Sequence, residues 1–329
     1  MIVRRAASAA ALAFAIVAAP SVAYTQPPPK IPRIGYLGPA SPAEGAFLLQ
    51  SFRQGLRELG YVEGQNIFVD YRWTEGRSDQ VPALAAELVQ LKVDLIVTYS
   101  NQTAGALQKA TRTIPIVVAG MGDPVRNGFV ASLARPGGNI TGFSSLVEEL
   151  NRKWMELLTE AVPKTSRIAV LAVSQSPNHH RFWLEMQGAA GAVKLTLQRQ
   201  EVAGPDDLEP AFARLVAARA QGLIVLPSAV TNALRTQILS LAAKHRLPGM
   251  YPNSQYVKAG GLMSYAADNS DLHRRAATYV DRLLKGAKPG DLPVEQPTKF
   301  ELVINLKTAR TLGLTIPPSV LSRADQIIE

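Results

Sequence analysis

The chain has 329 residues, 47% of them hydrophobic, a formal net charge of +9 and no cysteine. Such a length can build one large or two ordinary domains with substantial cores. The missing cysteine excludes disulfides, thiolate metal sites and anchoring through a lipidated cysteine; the basic residues are scattered, with no basic run of five or more, so no nucleic-acid footprint is expected.

In chain order, the first signal is an export pattern. Arg4 and Arg5 open the chain, Ala6 to Ala19 carries no charge, Pro20 breaks the run, and Ser21-Val22-Ala23 supplies small residues at a cleavage site. Residues 1–23 are predicted to be a signal peptide cleaved near Ala23, too short for a comfortable membrane span, which places the mature protein in the periplasm. The arginine pair leaves general and twin-arginine export both open. Residues 24–31, with Gln26-Pro27-Pro28-Pro29-Lys30, are predicted to be an extended linker.

Strand and helix then alternate. Arg33 to Gly38 reads as a strand; Phe47, Leu48, Phe52, Leu56 and Leu59 recur at helical spacing until Gly60. Asn66 to Trp73 is a strand, Val81, Leu84, Ala85, Leu88 and Leu91 a helical stripe, Asp94 to Thr98 a buried-type strand, Ala104 to Thr111 a helix and Ile114 to Ala119 a strand. A second series runs through the helix Lys153–Ala161, the strand Arg167–Val173, a helix from near Arg181, the strand Leu195–Val202, the helix Leu208–Ala218, the strand Gly222–Leu226, the helix Ala233–Lys244 and the strand Pro248–Tyr251. Gly261 to Ala266 adds a strand, and Leu272 to Leu284 a helix that can return to the first series. This order predicts an α/β fold of two Rossmann-like lobes, each a parallel sheet flanked by helices, with a ligand cleft between them and a hinge of several crossings. The expected division is 32–144 plus about 267–294 for lobe 1 and 145–266 plus about 295–329 for lobe 2.

Open parallel sheets bind ligands beyond the carboxyl ends of their strands. The loops there supply the candidate binding residues: Tyr36, Ser41, Ser100, Gln102, Thr103 and Asp123 from lobe 1, and Ser174, Asn178, Ser228, Tyr251 and Asn253 from lobe 2. Helix N-termini present unpaired backbone N–H groups suited to a carboxylate, although Ser, Asn and Asp at these positions also cap helices. Ser100-Asn101-Gln102-Thr103 is the expected anion cradle. Asp123, stiffened by Pro124, is the expected partner of an amino group, or else a cap. Tyr36 and Tyr251 are expected to flank the ligand's side chain, Tyr99 and Tyr265 also lie near strand ends, and His179-His180 stands at a helix start as a pair able to grip ligand or the other lobe.

The chain also resembles a known family. The residues that carry the likeness are Arg33-Ile-Gly-Tyr-Leu37, the run from Phe52 to Asn66, Gly122-Asp-Pro-Val125, Leu133 to Gly142, Ala259 to Tyr265 and Leu292 to Asn305. Together they resemble the tryptophan/tyrosine-type group of ABC-transporter substrate-binding proteins, with the periplasmic-binding-protein type I fold. The resemblance implies delivery of a small solute to a membrane permease and leaves the solute open.

No enzyme motif competes. Gly142-Phe-Ser-Ser-Leu146 fails as a nucleophile elbow, and no phosphate loop or dinucleotide fingerprint occurs. The expectation is a non-enzymatic, monomeric receptor with no cofactor and no metal, whose partners are a small amino acid or carboxylate, aromatic or not, and an ABC permease. An exported α/β enzyme using the same cleft is the alternative, distinguished by turnover of the ligand.

Overall fold

The computed structural model describes residues 30–145, 147–174, 176–191 and 194–329. The predicted signal peptide and residues 24–29 of the predicted linker lie outside the described residues. Among the described residues no helix is long and apolar enough to cross a membrane.

The first sheet is built from β1 (Arg33–Gly38), β2 (Phe68–Trp73), β3 (Leu95–Thr98), β4 (Ile116–Met121) and β5 (Ile140–Ser144), connected by α1 (Pro42–Glu58), α2 (Val81–Gln90) and α3 (Asn101–Ala110). All its pairings are parallel, in the order β2-β1-β3-β4-β5. Its central strands are apolar throughout because both faces are covered. In β3, Leu95 and Val97 pack with Phe52 and Leu56 of α1, while Ile96 joins Ala85 and Leu88 of α2 and Leu107 of α3 on the opposite face.

The second series holds α4 (Val147–Ala161), β6 (Arg167–Val173), α5 (Pro177–Ala190), β7 (Thr196–Val202), α6 (Leu208–Ala217), β8 (Gly222–Val225), α7 (Ala229–Ala233), α8 (Arg235–Lys244), β9 (Gly249–Tyr251), α9 (Ser254–Lys258) and β10 (Met263–Ala267). Its strands run β7-β6-β8-β9-β10, the same winding as the first sheet. Ile168 and Val170 face Trp154 and Leu158 of α4, whereas Ala169 and Leu171 face Phe212 of α6 and Ile238 of α8.

Then comes α10 (Asn269–Leu284), followed by β11 (Phe300–Asn305), α11 (Leu306–Leu312), α12 (Pro318–Leu321) and β12 (Gln326–Ile328). β11 and β12 extend the second sheet beyond β10, and β11 runs antiparallel to β10, a departure from the all-parallel expectation. Helices α3, α4 and α5 begin earlier than the apolar spacing implies, and the expected helix Ala233–Lys244 is interrupted at Leu234 between α7 and α8.

α10 follows a strand of the second sheet yet packs on the first. Its Ala276, Ala277 and Val280 join the core formed by α1 and β1. The approach is close because Gly55 lacks a side chain: a Cβ there would lie 2.1 Å from the carbonyl oxygen of Arg274. The chain passes between lobes after β5, between β10 and α10, and again before β11. These crossings are bound to one another. Ser144 N–H donates to Glu295 O at 2.9 Å, Thr141 Oγ1 to Leu292 O at 2.7 Å, and Asp268 N–H to Lys299 O at 3.0 Å. Three linked crossings thus join the two lobes.

Candidate ligand-binding site

The carboxyl ends of both sheets open on one cavity of about 640 Å³, in the usual range for a small-molecule site. Ser100 and Gln102 at the start of α3, Ser174 and Asn178 around the start of α5, Ser228 before α7 and Asn253 before α9 all line it. Thus both sheets contribute, through loops that the order of strands places at the same edge.

The other sequence-derived candidates are directed elsewhere. Tyr36 is fully buried, its ring 5.8 Å from Phe52, 5.8 Å from Tyr71 and 5.6 Å from Trp73. It points into the layer beneath the sheet, because residue 36 of β1 faces α1 and not the strand's end. Tyr251 is buried and stacked on Tyr256 at 5.2 Å. Ser41 closes a capping box with Glu44, so Glu44 and not Ser41 meets the cavity. Thr103 is buried, its Oγ1 2.7 Å from Thr98 Oγ1 and 2.9 Å from Ser100 Oγ, which fixes the turn from β3 into α3. Asp123 does not line the cavity. Its carboxylate lies 3.5 Å from Arg126 and 3.7 Å from Arg181 of the second lobe. Tyr265 stacks on Phe300 at 5.9 Å, while its carbonyl accepts the indole N–H of Trp154 at 2.6 Å.

The histidine pair is also reassigned. His179 Nδ1 accepts the N–H of Val173 at 2.8 Å, and its Nε2 donates to the carbonyl of Pro227 at 3.0 Å. The ring therefore ties the loop after β6 to the loop after β8, two walls of the cavity. His180 is exposed, beside Arg199.

Several lining residues escape a reading confined to strand ends. Phe129, Trp154 and Phe182 give the cavity an aromatic wall. His273 pairs edge-to-face with Tyr99, which the sequence already places near a strand end and which also lines the cavity, their ring centroids 4.8 Å apart. Asp268, the cap of α10, and Glu301 of β11 bring carboxyl groups; burial, then the charge of Asp268, pushes the Glu301 carboxyl above its ordinary value. Arg235 and Lys258 bring positive charge from the second lobe. Arg235 stands 3.9 Å from Glu44 of the first lobe, and Lys258 Nζ lies 5.0 Å from the centroid of Phe47. With Asp123–Arg181, these contacts bridge the cleft and require the lobes to be close together.

His273 gives a pH prediction. Burial pushes its imidazole down to about 4, against the backbone hydrogen bond at Asn269, which acts upward. An unfolded histidine titrates near 6.5. Between these values the unfolded chain binds the extra proton, so stability is complete above about pH 6.5 and declines as pH falls toward 4. Burial lowers His179 in the same direction. Urea unfolding at pH 7.5 and at pH 5 should differ by about 2 kcal/mol for His273 alone. His273→Gln should remove that part of the difference; an unchanged profile in the variant would contradict the assignment.

Two lobes of like winding, three crossings and a mixed polar and aromatic cavity between them are the architecture of the periplasmic-binding-protein type I fold. The family model described as ABC transporter substrate binding protein matches residues 46–328, and the chain belongs to that family. A tyrosine-binding protein of Clostridioides difficile is 26% identical over 265 residues, covering 80% of this chain and 76% of that one. A crystal structure from Streptococcus pneumoniae in complex with L-Trp is 28% identical, with a TM-score of 0.83 and coverage of 90% of this chain and 99% of that one. A conserved domain protein of Vibrio cholerae is also 28% identical, with a TM-score of 0.83 and coverage of 91% and 100%. Membership implies a small-molecule ligand and an ABC permease as partner.

Proposed function

We propose that this chain is a monomeric periplasmic receptor that captures an amino acid or another small carboxylate, preferably an aromatic one, and hands it unchanged to its permease. The observation that carries this reading is the composition of the cavity. Phe129, Trp154 and Phe182 offer an apolar face, while Asp268, Glu301, Arg235 and Lys258 offer both signs of charge in the same space. A zwitterion with a flat side chain matches that pairing, and relatives named for binding tyrosine and L-Trp support it. Ser100, Gln102, Ser174, Asn178, Ser228 and Asn253 are the polar groups assigned to ligand contact. Asp268 and Glu301 take the ammonium role that the sequence suggested for Asp123.

In this reading the lobes are 32–144 with about 267–294, and 145–266 with about 295–329, and they close by hinge bending. Solution scattering with saturating L-tryptophan or L-tyrosine should give a smaller radius of gyration than the unliganded protein. An unchanged profile at saturation would count against a closing receptor. Export through residues 1–23 further predicts a mature N-terminus at Tyr24. N-terminal sequencing of the exported protein checks this, and an intact Met1 would refute it.

A further inference from the structure

Several polar groups around the cavity already serve the fold. Ser100 Oγ accepts the N–H of Thr103 at 3.3 Å, and the Asn101 side chain bonds the N–H of Gly122 at 2.8 Å and its carbonyl at 2.9 Å. Ser228 caps α7, Asn253 caps α9, and both ring nitrogens of His179 are engaged. The expected anion cradle at the start of α3 is therefore bound largely to itself.

Arg235 differs. It lines the cavity with a side chain only 19% exposed, yet makes no hydrogen bond among the described residues. Its Nε is buried without a partner. Its nearest acid is Glu44, whose Oε1 is 3.9 Å away, beyond hydrogen-bonding distance, while Glu44 Oε2 accepts from Ser41 N–H at 3.3 Å and Ser41 Oγ at 2.9 Å, which fixes the carboxylate at that distance. The face of Tyr256, 5.9 Å from Cζ, contacts the guanidinium without accepting its N–H groups conventionally. A guanidinium carries five donors in a planar fork, and leaving them unmatched in a partly buried site is unfavourable. A carboxylate matches that fork with two parallel bonds.

We propose that Arg235 anchors the ligand's carboxylate from the second lobe. This rests on the reading of the chain as a receptor for a small carboxylate-bearing solute, and it names the residue that selects for the acid. An acid bound at Arg235 also lies beside Glu44, so ligand capture and the meeting of the lobes occur at one place.

The test is calorimetric titration of the mature protein and of Arg235→Gln and Arg235→Lys with two matched pairs, L-tryptophan against L-tryptophanamide and benzoate against benzamide. The parent should prefer the acid of a pair by about 10- to 100-fold. Arg235→Gln should erase that preference by weakening the acid and not the amide, and Arg235→Lys should retain part of it. Equal weakening of acid and amide would overturn the proposal, since Arg235 would then act only by bridging to Glu44. A parent that binds tryptophan and its amide alike overturns the proposal and leaves the amino-acid reading standing. Preference for benzoate that Arg235→Gln abolishes, with no amino acid bound, supports the proposal and makes the solute a carboxylate without an ammonium group. A parent that binds none of the four overturns both. Should Arg235→Gln fail to fold, the acid preference of the parent and its reduction in Arg235→Lys still decide the question.

Discussion

Gly120→Trp should weaken ligand binding by about 100-fold while leaving the protein folded. Gly120 lies in β4 and lines the cavity, and a Cβ placed there meets nothing within 4 Å. Its φ is not in the left-handed region, so a side chain is tolerated by the backbone. An indole at this position extends into the space between the lobes, where it displaces the ligand and obstructs closure. Overpacking a site commonly costs about 1–3 kcal/mol, and the upper end of that range corresponds to about two orders of magnitude in affinity. Gly120→Ala adds one methyl group to open space and should bind nearly as the parent does. Calorimetric titration with the parent's ligand, with thermal melts of all three proteins, checks the contrast. Parent-like affinity in a folded Gly120→Trp would place the ligand outside this cavity.

Gly55→Val should lower stability by about 3 kcal/mol and the melting temperature by roughly 6–12 °C. Gly55 is interior to α1, where replacement of glycine by a residue with a side chain ordinarily favours the helix by up to about 1 kcal/mol. Packing reverses the sign here. The new Cβ would stand 2.1 Å from Arg274 O and 2.9 Å from the Cβ of Ala277, and a backbone carbonyl in α10 cannot rotate away. Gly188 in α5 supplies the opposite case, since a Cβ there meets nothing within 4 Å. Gly188→Ala should therefore stabilise modestly, by about 0.5–1 kcal/mol. Thermal melts of both variants compare the two sites directly. A Gly55→Val protein as stable as the parent would show that α10 does not rest on α1 as described.

The alternation of strands and helices was legible because parallel strands covered on both faces are nearly continuous apolar runs. Leu95 to Val97 and Ile168 to Ala172 are plain examples. The place of the cleft followed from that order alone, as the carboxyl ends of parallel strands share one edge. β11 and β12 fell outside the alternation, although Leu302-Val303-Ile304 is an apolar run that signals a strand. The use of each side chain was less legible. Ser100, Thr103 and Asp123 belong to residue types that both cap helices and bind ligands, and local sequence does not separate the two roles. Ser100 and Thr103 bond each other, whereas the partners of Asp123 and Asn101 are remote, Arg181 and Gly122. Tyr36 and Tyr251 went to the core because position along a strand tells which face a residue occupies only once the layers on each face are known. Asp268, His273 and Glu301 reach the cavity through the return of α10 and the pairing of β11, which the spacing of apolar residues does not reveal.

The central claim is capture without conversion of a small carboxylate between the lobes. Mass spectrometry of the small molecule released by denaturation from the purified mature protein, after prolonged incubation of the complex, tests it most directly. The expected result is one molecule per chain of an amino acid or small carboxylate, aromatic by preference and chemically unchanged. A converted product would identify an enzyme using this cleft, and a released ligand with no carboxylate would contradict the account.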